Sequence, residues 1–93
     1  IEGWDNMQAV ITVIGKDKVG ILAKAATKCA ELNANIVDVE QSIMQDLFTM
    51  VMIVNIDGLN VEFEDFKKEI KDALTAMEVY VMHEDIFNAM HKI

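Results

Sequence analysis

Arginine is missing from this chain, and its eight lysines stand against sixteen acidic residues, which gives a formal net charge of −8. Arginine dominates base readout and shares the phosphate contacts of nucleic-acid-binding proteins, so no nucleic-acid partner is expected. The same absence removes the arginine clamp common in phosphoryl and acyl-phosphate chemistry. An anionic membrane surface would repel such a chain, and no apolar run reaches the roughly 18 residues of a membrane span.

Cysteine is nearly absent as well, with Cys29 as the single example. One cysteine cannot form an internal disulfide, so a reducing compartment, the cytoplasm, is expected. Cys29 falls on the apolar side of a predicted helix, where a buried inert thiol is expected rather than a nucleophile. His83 and His91 lie on different predicted elements without a recognised metal spacing. The sequence therefore predicts no catalytic residues, no metal and no cofactor, and the chain is not expected to be an enzyme.

Proline is absent and glycine is scarce, with four residues, while hydrophobic residues make up 53% of the 93-residue chain. A chain of this length forms one domain with a modest core, and no linker or low-complexity segment suggests a second. Residues 1–6 precede the first methionine and are expected to be a tag remnant or a disordered terminus, with 7–93 as the domain. The high apolar content predicts that a second subunit covers part of the surface.

Hydrophobic periodicity predicts seven elements. Strands are expected at 8–15, 35–45, 47–56 and 79–83, and helices at 20–32, 61–77 and 85–93. This order predicts an α+β fold, a ferredoxin-like βαββαβ sandwich with a four-stranded antiparallel sheet, two helices on one face, and a short C-terminal helix. Asn33 is predicted as a left-handed C-cap of the first helix and Asn60 as the N-cap of the second. The first helix is expected to bury Leu22, Ala25, Ala26, Cys29 and Leu32.

Apolar residues on both faces of the central strands are a further feature. The set Phe48, Met50, Met52, Val54 and Ile56 can face the helices. Leu47, Val51 and Ile53 on the opposite face are too apolar for a solvated surface. A second protomer, or the terminal helix through Ile86, Met90 and Ile93, is expected to cover this face, and a homodimer or higher homo-oligomer is predicted.

The segment Asp17-Lys18-Val19-Gly20-Ile21-Leu22 follows a β-branched strand and opens a helix. The unpaired N–H groups of a helix's first turn, with the helix dipole, favour a carboxylate or phosphate. Gly20 suits a position where the backbone approaches another group or adopts positive φ. This strand, glycine turn and helix start is a candidate anion-binding loop.

Together with the element order, this loop and the Asn35-Ile36 start of the second strand resemble the ACT domain, a small amino-acid-sensing regulatory module. The resemblance covers residues 8–84 and is greatest to short stand-alone ACT proteins with an extra C-terminal helix, similar to the modules of the glycine-cleavage regulator. It implies that protomers pair and that a small ligand, most often an amino acid, binds between the first loop of one protomer and the second strand of the other. Val19 departs from the proline frequent in that loop.

On this basis the candidate ligand site has two parts. Gly15, Lys16, Asp17 and Gly20 would shape the loop, and the N–H groups of Gly20, Ile21 and Leu22 would receive a carboxylate. Asn33, or Asn35 beside Ile36, could hydrogen-bond the ligand, and Asp17 could pair with an α-ammonium group. The structural alternative is that Gly20 permits a turn, Asp17 caps the helix and Asn33 ends it.

Two functions follow from this reading of the sequence. The first is a regulatory module that senses an amino acid at a homodimer interface. The alternative is a ligand-free interaction module that regulates an unidentified protein partner through its apolar sheet face and C-terminal helix. In that case the acidic exterior would steer it towards a basic partner.

Overall fold

The computed structural model describes residues 7–16 and 20–90, and the expectations for residues 1–6 lie outside this range. Its elements are β1 (Gln8–Gly15), α1 (Ile21–Glu31), β2 (Asn35–Met44), β3 (Leu47–Asn55), α2 (Phe63–Ala73), β4 (Glu78–His83) and α3 (Glu84–Met90). The strands form one antiparallel sheet in the order β2-β3-β1-β4. The predicted ferredoxin-like α+β fold with a short C-terminal helix is confirmed. Within the described ranges, no helix is long and apolar enough to cross a membrane.

The core lies between one face of the sheet and the two long helices. On β3 the predicted set alternates into this core, and Met50, Met52 and Val54 are fully buried. Ile11 and Val13 of β1 face the same way, because β1 and β3 pair with Met52 opposite Ile11. Phe66 and Ile70 close the core from α2. The period-2 pattern of the central strands therefore fixes which sheet face receives the helices.

The buried side of α1 differs from the prediction by one residue. Ile21, Ala25 and Cys29 are buried, whereas Leu22 is 37% exposed. One residue turns a helix by about 100°, so Leu22 cannot face the core that receives the i, i+4, i+8 series beginning at Ile21. The predicted burial of Leu22 is wrong, and its side chain is available at the surface near the start of α1.

The start of α2 is also later than predicted, and Asn60 does not cap it. The helix begins at Phe63 with Glu62 as its N-cap, and it ends at Ala73 rather than at residue 77. Asn60 instead donates its side-chain N–H to the Glu31 carbonyl oxygen at 2.9 Å, and its backbone N–H to the Leu32 carbonyl oxygen at 3.2 Å. These bonds satisfy carbonyls that the end of α1 leaves unpaired.

The sheet's outer face is the one turned away from α1 and α2. Strand pairing places these side chains on it: Val10, Thr12, Ile14, Asp38, Glu40, Ser42, Met44, Leu47, Thr49, Val51, Ile53, Glu78, Tyr80 and Met82. Helix α3 packs against β1 and β4, and Val10 is only 2% exposed. The terminal helix therefore covers one part of this face, as one branch of the prediction had it.

The way α3 covers the outer face was not foreseen in detail. Ile86, expected to contact the sheet, is 56% exposed, while Phe87 is half-buried. The side chain of Met90 and residue Ile93 lie outside the described part of the chain. Strand β2 also departs from simple alternation, because its register shifts between Ile36 and Asp38. Val37 sits at this bulge and is exposed.

Replacing Val10 by threonine tests the cover that α3 provides. The hydroxyl would enter a site with 2% exposure, so we expect a loss of about 1–3 kcal/mol in the free energy of unfolding, measured by urea denaturation. Val51→Thr is the matched control, because Val51 lies on the same face but is half-buried, and it should cost less than about 0.5 kcal/mol. Equal losses would show that α3 does not seal Val10 from water.

Candidate functional site

The candidate loop leaves β1 at Gly15 and reaches α1 at Gly20, with Asp17 outside the described residues. Gly20 is the N-cap of α1 and has φ +76°, a left-handed conformation that glycine adopts without strain. Its carbonyl oxygen accepts the first helical bond from the backbone N–H of Lys24 at 2.9 Å. An ideal Cβ built on Gly20 meets nothing within 4 Å. The glycine is thus required by backbone conformation, and the space above it is open.

The electrostatics of the start of α1 differ from those of the other helices. The first turn of α1 contains no acidic residue and Gly20 has no side chain to cap it. In contrast, α2 has Glu64 and Asp65 in its first turn, and α3 has Glu84 and Asp85. Carboxylates near a helix N-terminus stabilise its positive end. In the described residues, α1 is the helix whose N-terminal charge is not offset by its own acidic side chains.

Gly15 and Lys16 stand at the β1 side of the loop and have different roles. A Cβ on Gly15 would overlap Sδ of Met77, so the glycine makes room for a side chain packed against the core. Lys16 Nζ lies 3.8 Å from the Asp46 carboxylate, with both side chains more than three-quarters exposed. Such an exposed pair is weak, and the Lys16 ammonium stays accessible at the sheet end that bears the loop.

The other predicted site residues lie at the opposite end of the same protomer. Asn35 pairs with Asn55, which pairs with Gln8, while Gly15 pairs with Phe48 at the far end of β3. Seven residue steps along β1 separate Gln8 from Gly15, a distance of about 24 Å. One protomer therefore does not bring Asn35 and Ile36 to the loop. Both residues are exposed on an edge strand.

Asn33 has two structural roles, and the sequence predicted only the first of them, the left-handed conformation at the end of α1. Its φ of +65° confirms the predicted left-handed end of α1. Its amide N–H also donates to the Gly58 carbonyl oxygen at 2.6 Å, and a Cβ on Gly58 would lie 2.9 Å from the same amide nitrogen. Together with the bonds of Asn60, this contact ties the α1–β2 turn to the β3–α2 turn. In the sequence, the segment Asp57-Gly58-Leu59-Asn60 was the feature from which this contact between turns could have been predicted.

The catalytic and metal-binding candidates of the sequence, Cys29 and His83, lie on different elements, α1 and β4. Cys29 is fully buried, and burial raises the pKa of its thiol to about 11. His83 contacts the Phe63 ring and accepts a hydrogen bond at Nδ1 from the Asp85 backbone N–H at 3.3 Å. In residues 7–16 and 20–90, no three His, Cys, Asp or Glu side chains cluster as metal ligands would.

Comparison with known proteins relates this geometry to a family. Residues 7–83 match a family profile described as ACT domain. UPF0237 protein lin0537 of Listeria innocua is 49% identical over 89 residues, which cover 94% of this chain and 100% of that protein. An ACT domain protein from Streptococcus pneumoniae superposes with a TM-score of 0.75 and 34% identity, covering 92% of this chain and 99% of that one.

A more distant structure shares the fold alone. The regulatory subunit of aspartate kinase from Thermus thermophilus matches with a TM-score of 0.64 and 21% identity, covering 82% of this chain and 51% of that one. The resemblance inferred from the loop motif and the element order is confirmed.

Substitutions of Asn33 separate its backbone conformation from its hydrogen bond. Asn33→Ala loses the bond to Gly58 and places alanine at positive φ, so we expect unfolding to become easier by about 2 kcal/mol. Asn33→Gly loses the same bond without the conformational strain and should cost about 1 kcal/mol less. Urea unfolding measures both values. Equal costs for the two variants would contradict a left-handed requirement at this position.

Because the Cys29 thiol is buried, the folded and unfolded states should differ in thiol reactivity and in the pH at which the thiol ionises. Native Cys29 should resist a thiol reagent at pH 8 and react after unfolding in urea, because the reactive thiolate does not form in the folded protein. Burial raises the pKa of this thiol from its ordinary value to about 11. Between pH 9 and 11 the unfolded chain therefore loses this proton first, and stability should fall as pH rises. Cys29→Ala should lack that part of the decline.

Proposed function

This chain belongs to the ACT domain family of small regulatory ligand-binding modules, and from that premise we propose that it senses an amino acid bound between two protomers. The observation that carries the proposal is the start of α1. There a left-handed Gly20 opens a helix whose first turn lacks any acidic residue. The N–H groups of this turn are oriented for a carboxylate. Lys16, exposed where β1 enters the loop, adds positive charge to this end of the sheet.

The proposed second protomer supplies what the loop lacks within one chain. Strand β2 is at the sheet edge, and its apolar residues Ile36, Val37, Ile43 and Met44 are all exposed. An edge strand of this kind favours pairing with another strand. Antiparallel pairing of two β2 strands places Asn35 and Ile36 of the second protomer beyond Met44 of the first. That end of the sheet is where Gly15 and the loop lie, because Ile43 and Gly15 both pair with Phe48.

The composite site matches the three parts of an amino acid. The carboxylate would accept hydrogen bonds from the N–H groups at the start of α1. The α-ammonium group would pair with an acidic or amide side chain, for which Asp17 and Asn35 remain the predicted candidates. Leu22 and Ile36 are both 37% exposed, and they offer apolar surface from two protomers to the ligand's side chain. Asn33 is better described as a fold residue, since its amide already binds Gly58.

The fold relationship supports a regulatory role for this site. The Thermus thermophilus protein with the same fold is, by its description, the regulatory subunit of an aspartate kinase. The proposal for this chain is likewise a sensor whose occupancy is read by another component.

Thermal unfolding against a panel of the twenty amino acids, with pyruvate and phosphate as controls, tests the proposal. A ligand at a hundred times its Kd stabilises the folded protein by about 2.7 kcal/mol, a shift of several degrees for a domain of this size. We expect one or two amino acids to shift the melting temperature selectively. A flat panel at millimolar concentrations would contradict amino-acid sensing, whereas a shift by phosphate alone would reduce the loop to a general anion site.

A glycine substitution then assigns the binding to the loop. Gly20→Asn keeps a residue that tolerates positive φ and places its side chain in the open space above the helix start. We expect it to abolish the ligand-induced shift while the protein stays folded and dimeric by analytical ultracentrifugation. Ala76→Asn adds the same side chain at an exposed turn and should bind normally. An unchanged shift in Gly20→Asn would exclude the loop as the site.

A further inference from the structure

The outer face of the sheet is covered only in part. Helix α3 lies over β1 and β4 and seals Val10, but the next row across the sheet is open. This row runs through Glu40, Val51, Thr12 and Tyr80. Tyr80 is 47% exposed, and on the adjacent hairpin Met44 is 74% exposed. The open part of the face is thus a strip, next to a helix of the same chain, in which Val51 and the Tyr80 ring supply apolar surface.

Charge on this face is of one sign. Asp38 and Glu40 project from β2 on one side of the strip, and Glu78 projects from β4 on the other. The Tyr80 hydroxyl donates to the Glu78 carboxylate at 2.7 Å and holds it at the margin. In the described part of the chain, no outward strand position and no α3 residue is a lysine.

The lysines are concentrated on the opposite side of the molecule. Five of them lie on α1 and α2, which cover the other face of the sheet: Lys24, Lys28, Lys67, Lys68 and Lys71. Several are already paired there, as Lys28 is with Glu31 at 2.9 Å and Glu69 at 3.4 Å. Lys16, at the loop, is paired with Asp46. Among residues 7–16 and 20–90, the outer face therefore presents carboxylates that no lysine is paired with.

We propose that the open part of the outer face binds a lysine- or arginine-bearing amphipathic helix of a partner protein. Glu40 and Glu78 lie on the two edge strands, three strand spacings apart, which is about 14 Å. A helix is about 10–12 Å wide with its side chains. One helix laid over Val51 and Tyr80 would bury its apolar side on the strip and bring basic residues on both flanks to the carboxylates. Helix α3 already packs on this face in a comparable manner.

Electrostatics favour this occupant over a second copy of the chain. Stacking two outer faces would set the carboxylates of Asp38, Glu40 and Glu78 against a surface of the same sign, which costs binding energy. The surface is also distinct from the edge of β2 that the proposed homodimer would use, because edge pairing leaves the outward side chains of β2 free. The inference does not depend on the identity of the small ligand.

The first test uses a probe of defined chemistry with the full chain. The probe is a leucine–lysine amphipathic helical peptide of about 14 residues, roughly 21 Å long, and its control replaces every lysine with glutamate. Amide chemical-shift mapping by NMR should show the largest changes at Thr12, Val51 and Tyr80 with the lysine peptide, and none with the glutamate peptide. Largest changes on α1 and α2 would overturn the proposal without any variant being needed.

A pair of charge-reversal variants then separates this face from general attraction to an acidic protein. Glu40→Lys with Glu78→Lys should weaken peptide affinity by about tenfold or more in fluorescence anisotropy. Glu62→Lys with Asp65→Lys makes the same change in net charge at exposed positions at the start of α2. This pair should change the affinity for the peptide by less than about threefold. Equal losses in both pairs would overturn the proposal.

Oligomeric state distinguishes the remaining occupant, a second copy. Analytical ultracentrifugation of the Glu40→Lys, Glu78→Lys protein should give the same mass as the unmodified chain, and a changed mass would assign the face to self-association instead. Failure of the amino-acid panel would leave the peptide result standing, so the two proposals can fail separately.

Discussion

A sheet with its two long helices on one side is the constraint on which the rest of this structure depends. The central strands β1 and β3 are apolar on both faces, but α1 and α2 cover only the face that buries Met50, Met52 and Ile11. The other face cannot be solvated without exposing Val10, Val51 and Ile53, a cost proportional to their apolar area. The short helix α3 meets part of this requirement. The remainder, around Val51 and Tyr80, is the surface for which a partner helix is proposed above.

Two asparagines show how closely the turns of this fold are tied to its helices. Asn33 ends α1 in a left-handed conformation and binds Gly58, while Asn60 binds the last carbonyls of α1 from the following turn. These contacts hold the C-terminal end of α1 against the β3–α2 connection. The N-terminal end has no comparable side-chain cap, since Gly20 occupies that position. Side-chain hydrogen bonds therefore hold the C-terminal end of α1. The N-terminal end has no side-chain cap, and a ligand could bind the backbone N–H groups there.

The sequence predicted the topology and the core well because both depend on periodicity. Alternation on β3 and the helical spacing of Phe66 and Ile70 have few competing solutions once a βαββαβ order is recognised. The errors lie where one residue changes the outcome. A shift of one position moved Leu22 out of the core, and Asn60 had two competing partners, of which the unpaired end of α1 was invisible in the local sequence.

The candidate site was predictable only as two separate halves. The loop glycine and the start of β2 were recognisable from the motif, yet about 24 Å along β1 separates them in one protomer, and Asp17 lies outside the described residues. The sequence of one chain does not specify how the β2 strands of two protomers pair, so the composite site remains a proposal. The sequence predicted an acidic exterior and an apolar sheet face, but it did not locate the acidic charge on the outer face. Its one-sided charge depends on which strand residues point outward, and Glu78 and Glu40 become neighbours of one strip only after the sheet order is known.

Strand β2 links the two proposals through geometry. Its edge is the surface offered to a second protomer, and its outward side chains Asp38 and Glu40 form one margin of the acidic strip. Only a ligand that displaced β2 itself relative to β3 would change the spacing between Glu40 and Glu78 across the sheet. Thermodynamic linkage then requires the effect to be mutual, so that a partner on the outer face alters ligand affinity by the same factor. In the two proposals, coupling of this kind would run through β2, because that strand belongs to both sites.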